Sequence, residues 1–305
     1  IVLNRSLDDV DDFKDKIDVF FAPDHYIPYM KNIPVIATVM DLIPLIHPEW
    51  TRSKLRKFKN YAFKKAILSA ERIITISEYS KRDIIKYLGI DENRISVVPL
   101  GVDEKYFKRI DKDTKEKVLE KYKIKKNFFV FIGTLQPRKN IIRIIEAFEK
   151  LPQNIKDRHE LIVIGQNGWK AEDIIDRLNN MQRSGYGKWL NYVPQNDLLS
   201  LLQSAKALIY PSLYEGFGLP VVEAFASRCP VICSNTTSLP EVAGDAALLV
   251  DPLSVEEISN AIYLLAEDKY KRKELIIRGL EQVKKFTWER SAEQHAKVFK
   301  EVLDS

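Results

Sequence analysis

No apolar run in this 305-residue sequence approaches the ~20 residues that a membrane span requires. Its opening residues do not read as a basic-then-apolar leader either. Both absences lead us to expect a cytoplasmic protein. Cysteine is nearly missing, Cys229 and Cys233 being the only two. Four apart on an extended segment, they would share a face yet lie about 13 Å from each other, too far for a disulfide. Buried free thiols in a reducing compartment are therefore expected. The four histidines, His25, His47, His159 and His295, show no metal-ligand spacing with one another or with the cysteines, which argues against a structural zinc site. Fixed-period repeats and low-complexity stretches are lacking too.

What is present is a globular composition, 45% hydrophobic and 30% charged, in a chain long enough for two packed cores. The net charge of +5 is unevenly placed. Arg52, Lys54, Arg56, Lys57, Lys59, Lys64 and Lys65 fall in one segment without an acid, and Leu55, Phe58, Ala62, Ala66 and Ile67 recur there at helical spacing. That describes an amphipathic basic helix. It is either a solvated face or a contact for anionic head groups at the inner face of a membrane, or for an anionic acceptor. Nucleic acid is not expected as a partner, because charge is balanced elsewhere and no binding module stands out.

Short apolar runs alternate with helical patterns along the whole chain, which predicts parallel sheets covered on both faces. In the first part, strands are expected at 18–23, 34–40, 72–77 and 94–99, with helices near 53–69 and 79–88 and Ser77 as an N-cap. In the second, strands are expected at 128–132, 161–164, 189–193, 207–210, 230–234 and 247–250. Ser238 with Glu241 has the form of a capping box. A hydrophilic stretch from about Tyr106 to Asn127 separates the two patterns. We place a Rossmann-like domain at 1–105, a second at 106–285, and a terminal helix at 286–305 that is expected to cross back to the first. The sequence starts at Ile1 rather than Met, and only about 105 residues precede the linker, so the first domain is expected to lack an N-terminal portion.

The most informative stretch runs from Tyr210 through Pro211-Ser212-Leu213-Tyr214-Glu215-Gly216-Phe217-Gly218-Leu219-Pro220-Val221-Val222 to Glu223. A buried strand ends at Pro211, and Pro220 suits the first turn of a helix. Gly216 and Gly218 fall between them, where an open α/β sheet meets its ligands and where a helix N-terminus favours phosphate. A plain strand-to-helix turn with solvated glutamates would have the same outline. Gly133-Thr134-Leu135-Gln136-Pro137-Arg138-Lys139-Asn140 follows the second domain's first strand, which sets Arg138 and Lys139 on the same rim. Two cations beside exposed amides suit a diphosphate. The Asp-x-Asp pairs at Asp9/Asp11 and Asp111/Asp113 lie in hydrophilic stretches and read as surface, not as a metal site.

The run from Tyr210 to Glu223 resembles the Pro-Ser-x-x-Glu-Gly-Phe-Gly-Leu-Pro-x-x-Glu signature of the retaining GT-B glycosyltransferases of family 4. The segments 133–140, 161–165, 99–103 and 238–244 resemble the same family in the same order. The resemblance implies an α/β GT-B fold, two Rossmann-like domains facing a central cleft. It implies transfer of a sugar from a nucleotide-diphosphate donor, GDP-mannose or a UDP-sugar, to a saccharide or lipid-linked saccharide acceptor in cell-surface polysaccharide assembly. No cofactor and no metal are implied. Arg138 and Lys139 would hold the diphosphate, Glu223 the ribose hydroxyls, and Glu215 the donor sugar. Gly133 and the amides of Gly216, Phe217, Gly218 and Leu219 would complete the site, with the base near Val193. Asp41 joins the catalytic set, although Met40 stands where the family usually has histidine; His25 and His47 are possible substitutes. A nucleotide-sugar epimerase on the same fold and a non-catalytic nucleotide-sugar binder are the competing readings.

Overall fold

The computed structural model describes residues 17–24, 27, 30, 33–50 and 56–304. Asp9, Asp11, His25, Arg52 and Lys54 lie outside them. The chain divides into two compact units, Ile1–Gly101 with Trp288–Ser305, and Val102–Thr287.

The first unit holds a four-stranded parallel sheet in the order β1 (Phe20–Ala22), β2 (Val35–Thr38), β3 (Arg72–Thr75), β4 (Ile95–Val97). Its helices are α1 (Ile43–Ile46), α2 (Arg56–Ser69) and α3 (Glu78–Leu88). Side chains alternate across a strand, so β2 serves two cores. Val35 and Ala37 pack with Ile67, Ile73 and Ile84. Ile36 faces the other way, with Ile74, Val98 and the terminal helix Trp288–Leu303, which contributes Val298, Phe299 and Val302. Ser77 caps α3, its Oγ accepting the Ser80 N–H at 3.0 Å, and Gly89 at φ 68° closes the same helix.

The second unit has six parallel strands: β5 (Asn127–Ile132), β6 (His159–Ile164), β7 (Gly187–Leu190), β8 (Leu208–Tyr210), β9 (Val231–Ser234) and β10 (Leu248–Val250). They are flanked by α4 (Lys112–Lys121), α5 (Ile141–Glu149), α6 (Gln153–Arg158), α7 (Glu172–Arg183), α8 (Gln195–Ser204), α9 (Leu219–Ala226), α10 (Leu239–Ala243), α11 (Val255–Glu267) and α12 (Lys269–Gln282). The order across the sheet is β10-β9-β8-β5-β6-β7. Chain progression therefore reverses between β5 and β8, the point at which an open parallel sheet leaves a crevice outside its carboxyl ends. β5, β6 and β8 are almost wholly apolar because both of their faces are covered.

Two local expectations change. The first unit ends at Gly101 rather than near 105, because the 3₁₀ turn Glu104–Phe107 is tied to the end of α9: Ser227 Oγ donates to the Tyr106 carbonyl and Arg228 Nη1 to that of Phe107. Ser238 is not a capping-box serine. Its hydroxyl instead lies 2.9 Å from the carbonyls of both Glu215 and Phe217 in the preceding loop. Cys229 and Cys233 are buried free thiols, each pushed up to about 12 by burial.

Candidate functional site

The loops that leave β5 and β8 flank the reversal point and are fastened to each other. Asn140, in the left-handed region at φ 62°, donates from Nδ2 to the carbonyls of Pro211 (2.9 Å) and Pro252 (2.6 Å). The Leu213 N–H donates to the Arg138 carbonyl at 2.8 Å. Below them, Gly165 lets two strand ends meet: a Cβ there would stand 1.9 Å from the Gly133 oxygen. Gly218 opens α9 at φ 114°, and a Cβ would reach within 2.5 Å of Leu239, so this turn requires glycine.

This scaffold brings Arg138, Lys139 and Glu215 into one cluster. Lys139 Nζ lies 2.6 Å from Glu215 Oε1 and also donates to the Tyr210 hydroxyl; Arg138 Nη1 lies 2.9 Å from Glu215 Oε2 and 3.1 Å from the Tyr214 carbonyl. Gln136 Oε1 accepts from Arg138 Nε at 3.2 Å, and Thr237 Oγ1 from the Glu215 N–H at 3.3 Å. Lys139 and Glu215 are only 8% and 7% exposed. Burial by itself would raise the Glu215 carboxyl, but Lys139 and then Arg138 outweigh it and hold the group below its ordinary range. Two cations and one carboxylate thus converge in a sheltered place. Two cationic side chains held side by side on the rim of a parallel sheet have the chemistry that suits a diphosphate.

Glu223 stands on α9, where burial raises its carboxyl while the Tyr106 phenol and Lys105 pull it down. Gly216 and Phe217 belong to the turn before α9, and Gly218 with Leu219 forms the helix N-terminus, whose first amides have no acceptor within the helix. Val193 is buried between the end of β7 and α8, beside the exposed Tyr192. In the first unit Asp41 Oδ1 accepts the Ile43 N–H at 3.0 Å at the start of α1, and Met40 is 38% exposed. His47 stacks on Trp50 and bonds to Glu49 at 3.1 Å. Asp111 is the N-cap of α4.

Sequence reasoning gave no site role to Tyr210, Thr237, Ser238 or Tyr106. Tyr106 opens the hydrophilic stretch of the sequence, yet it lies inside the 3₁₀ turn Glu104–Phe107 introduced by Asp103, whose Oδ1 accepts the Lys105 N–H. An aspartate followed by an aromatic pair was the available signal. Among the described residues no group of three or more His, Cys, Asp or Glu could hold a metal ion, and no helix is long and apolar enough to cross a membrane.

Comparison with known proteins places these features in context. The family model "Glycosyl transferases group 1" matches residues 111–282, and "Glycosyltransferase Family 4" matches residues 7–106. The chain is 34% identical over 290 residues to the O-antigen chain mannosyltransferase B of Escherichia coli, covering 95% of this chain and 75% of that protein. A glycosyltransferase from Rickettsia africae superposes with a TM-score of 0.78 at 18% identity, over 99% of this chain and 81% of that one. Anabaena HepE, solved in complex with UDP and glucose, gives a TM-score of 0.74 at 18% identity, over 88% and 72%.

Proposed function

Because this chain belongs to the group 1 glycosyltransferases and has their GT-B fold class, we propose that it transfers a mannosyl residue from GDP-mannose to a saccharide or lipid-linked saccharide acceptor in polysaccharide assembly. The mannosyl assignment draws on the activity named for the Escherichia coli relative. UDP-sugars are the second donor class, as HepE holds UDP. The observation that carries the reading is the convergence of Arg138 and Lys139 on Glu215 at the reversal point of the second sheet.

In this reading Arg138 and Lys139 bind the diphosphate and stabilise the negative charge that grows on the leaving nucleotide. They act more strongly in the transition state than in the ground state because they are fixed beforehand. The amides of Gly216, Phe217, Gly218 and Leu219 assist, and Gly133 leaves room for the phosphates. Glu215 keeps both cations aimed and offers its oxygens to the donor sugar's hydroxyls, which positions the anomeric carbon. Glu223 accepts from the ribose, and the backbone around Val193 meets the base. Asp41, from the first unit, is the fourth catalytic candidate. Attack from the face of the departing phosphate retains the anomeric configuration, with cationic side chains doing the work a divalent metal does elsewhere. Helix α2, whose exposed residues include Lys59, Lys64 and Lys65 beside Tyr61, is proposed as a peripheral contact with anionic lipid.

The test is a transfer assay with GDP-mannose, UDP-glucose and UDP-galactose on acceptor extracts, with the anomeric coupling of the product read by NMR. A product of inverted configuration would reject the mechanism. Tight nucleotide binding without turnover on any acceptor would favour a non-catalytic binder, a reading to which Met40, unable to donate a hydrogen bond, lends weight.

A further inference from the structure

Tyr210 has no part in the roles assigned so far, yet its position is strongly determined. It is the last residue of β8, in register with Cys233 of β9, and only 1% exposed. The backbone beyond it is held as well, since Asn140 Nδ2 donates to the Pro211 carbonyl and Ser234 Oγ to that of Ser212 at 2.7 Å. Its ring stacks on Phe131 of β5, with centroids 6.0 Å apart and planes inclined by 18°. The strand thus fixes where the ring starts, and Phe131 supports its plane.

The hydroxyl end meets Lys139. That lysine leaves the 3₁₀ turn Pro137–Lys139, and its stem passes Gly133, where a Cβ would stand 3.3 Å from the Phe131 ring and 3.9 Å from Lys139 Cε. Its Nζ lies 4.8 Å from the Tyr210 ring centroid and donates to the phenol oxygen, while Glu215 Oε1 accepts from the same nitrogen at 2.6 Å. One charged and one neutral acceptor therefore hold the ammonium. The two differ in kind: the carboxylate opposes the ammonium's charge, whereas a phenol oxygen fixes its place without opposing it. Burial, and after it the Glu215 charge, raises the phenol well above its ordinary range, which keeps it neutral at physiological pH.

We propose that Tyr210 is a positioning residue for the diphosphate site, its hydroxyl oxygen holding the Lys139 ammonium in place while adding no charge that would compete with the phosphates. The proposal rests on the phosphate role of Lys139 given above and extends it to the residue just before the signature's first proline. Lysine carries its charge on a flexible four-carbon stem, and an ammonium fixed beforehand loses less freedom when the ligand arrives. The benefit appears only with ligands that carry phosphates.

Calorimetry with GDP and guanosine, and with UDP and uridine in parallel, isolates that benefit. The readout is the ratio of diphosphate to nucleoside affinity. In Tyr210→Phe, which keeps the ring and its stack, the ratio is expected to fall about three- to tenfold, the span of one net hydrogen bond, with nucleoside binding unchanged. A merely structural role would weaken both ligands alike and leave the ratio intact. Lys139→Ala should lower the ratio further, and adding Tyr210→Phe to it should change nothing more, because the phenol acts through the ammonium. Phe131→Leu, which withdraws the support of the ring, should move the ratio the same way by a smaller factor; it decides the matter if Tyr210→Phe fails to fold. If Lys139→Ala lowers the ratio and Tyr210→Phe does not, or lowers it equally with and without Lys139, positioning by Tyr210 is overturned while the phosphate role stands. An unmoved ratio in Phe131→Leu has the same force where Tyr210→Phe does not fold. If Lys139→Ala leaves the ratio unchanged, the phosphate role falls and the proposal falls with it.

Discussion

The loops leaving β2 in the first unit and β5 in the second occupy comparable places, each following a central parallel strand, yet they treat their polar groups in opposite ways. After β2 the demands of the backbone are met chiefly by neutral hydroxyls. Thr75 Oγ1 donates to the Val39 carbonyl at 2.7 Å, Ser80 Oγ to that of Met40 at 3.0 Å, and Asp41 Oδ1 accepts the Ile43 N–H at the start of α1. After β5, two cations converge on a carboxylate more than seventy residues away in sequence, in a place nearly closed to solvent. The first arrangement holds a turn. The second gathers charged side chains into one sheltered cluster, the kind of place in which functional sites concentrate.

The sharpest way to break this contrast is to remove Glu215. Glu215→Ala leaves Lys139 and Arg138 without their carboxylate, which should cost about 3–5 kcal/mol in stability by denaturant titration. Turnover should drop by about 10²- to 10³-fold, the scale seen when one fixed polar group is lost from a catalytic site. Nucleoside diphosphate affinity should not weaken, and a large loss would argue against the sugar-facing role. The pH dependence has a definite sign. Because the folded carboxyl is depressed, its contribution is complete above the unfolded carboxylate's ~4.3 and disappears as pH falls toward the lower folded value. The stability gap between wild type and Glu215→Gln should therefore be flat at neutral pH and shrink only in acid.

Arg138→Ala is expected to weaken nucleoside diphosphate binding by about 1.5–3 kcal/mol, read by calorimetry. Gly218→Ala forces a side chain into a left-handed turn against Leu239 and should lower stability by about 1–3 kcal/mol; a neutral result in thermal unfolding would show that this turn can relax. At the small end, Met40→His alters an exposed side chain and should shift stability by no more than about 0.5 kcal/mol. Nucleotide affinity should be unchanged, while a marked gain would mean that the first unit contributes to nucleotide binding after all.

Much of this was legible beforehand, because parallel strands buried on both faces write continuous apolar runs and their terminal loops write glycine and proline. The four strands of the first sheet, the Ser77 cap and the placement of Arg138 and Lys139 on the rim of Glu215 all follow from such local signals. Contacts between distant segments left no periodic trace. Ser238 has the spacing of a capping serine, yet its single hydroxyl proton is directed to another loop, where two carbonyls lie within reach. Tyr106 lies in a hydrophilic stretch, and only the folded chain sets its hydroxyl against Gln195. Asn140 was read as the end of a motif, whereas its side chain is the clasp between two loops.

The account's central claim is that Lys139 and Arg138 form a diphosphate site, and the most direct measurement is calorimetric binding of GDP and of guanosine, with UDP and uridine in parallel, to wild type and Lys139→Ala. Loss of at least about tenfold in diphosphate affinity, the lower end for a charged hydrogen bond, with nucleoside affinity unchanged, is the predicted result. Unchanged diphosphate affinity, or an equal loss for diphosphate and nucleoside, would contradict it.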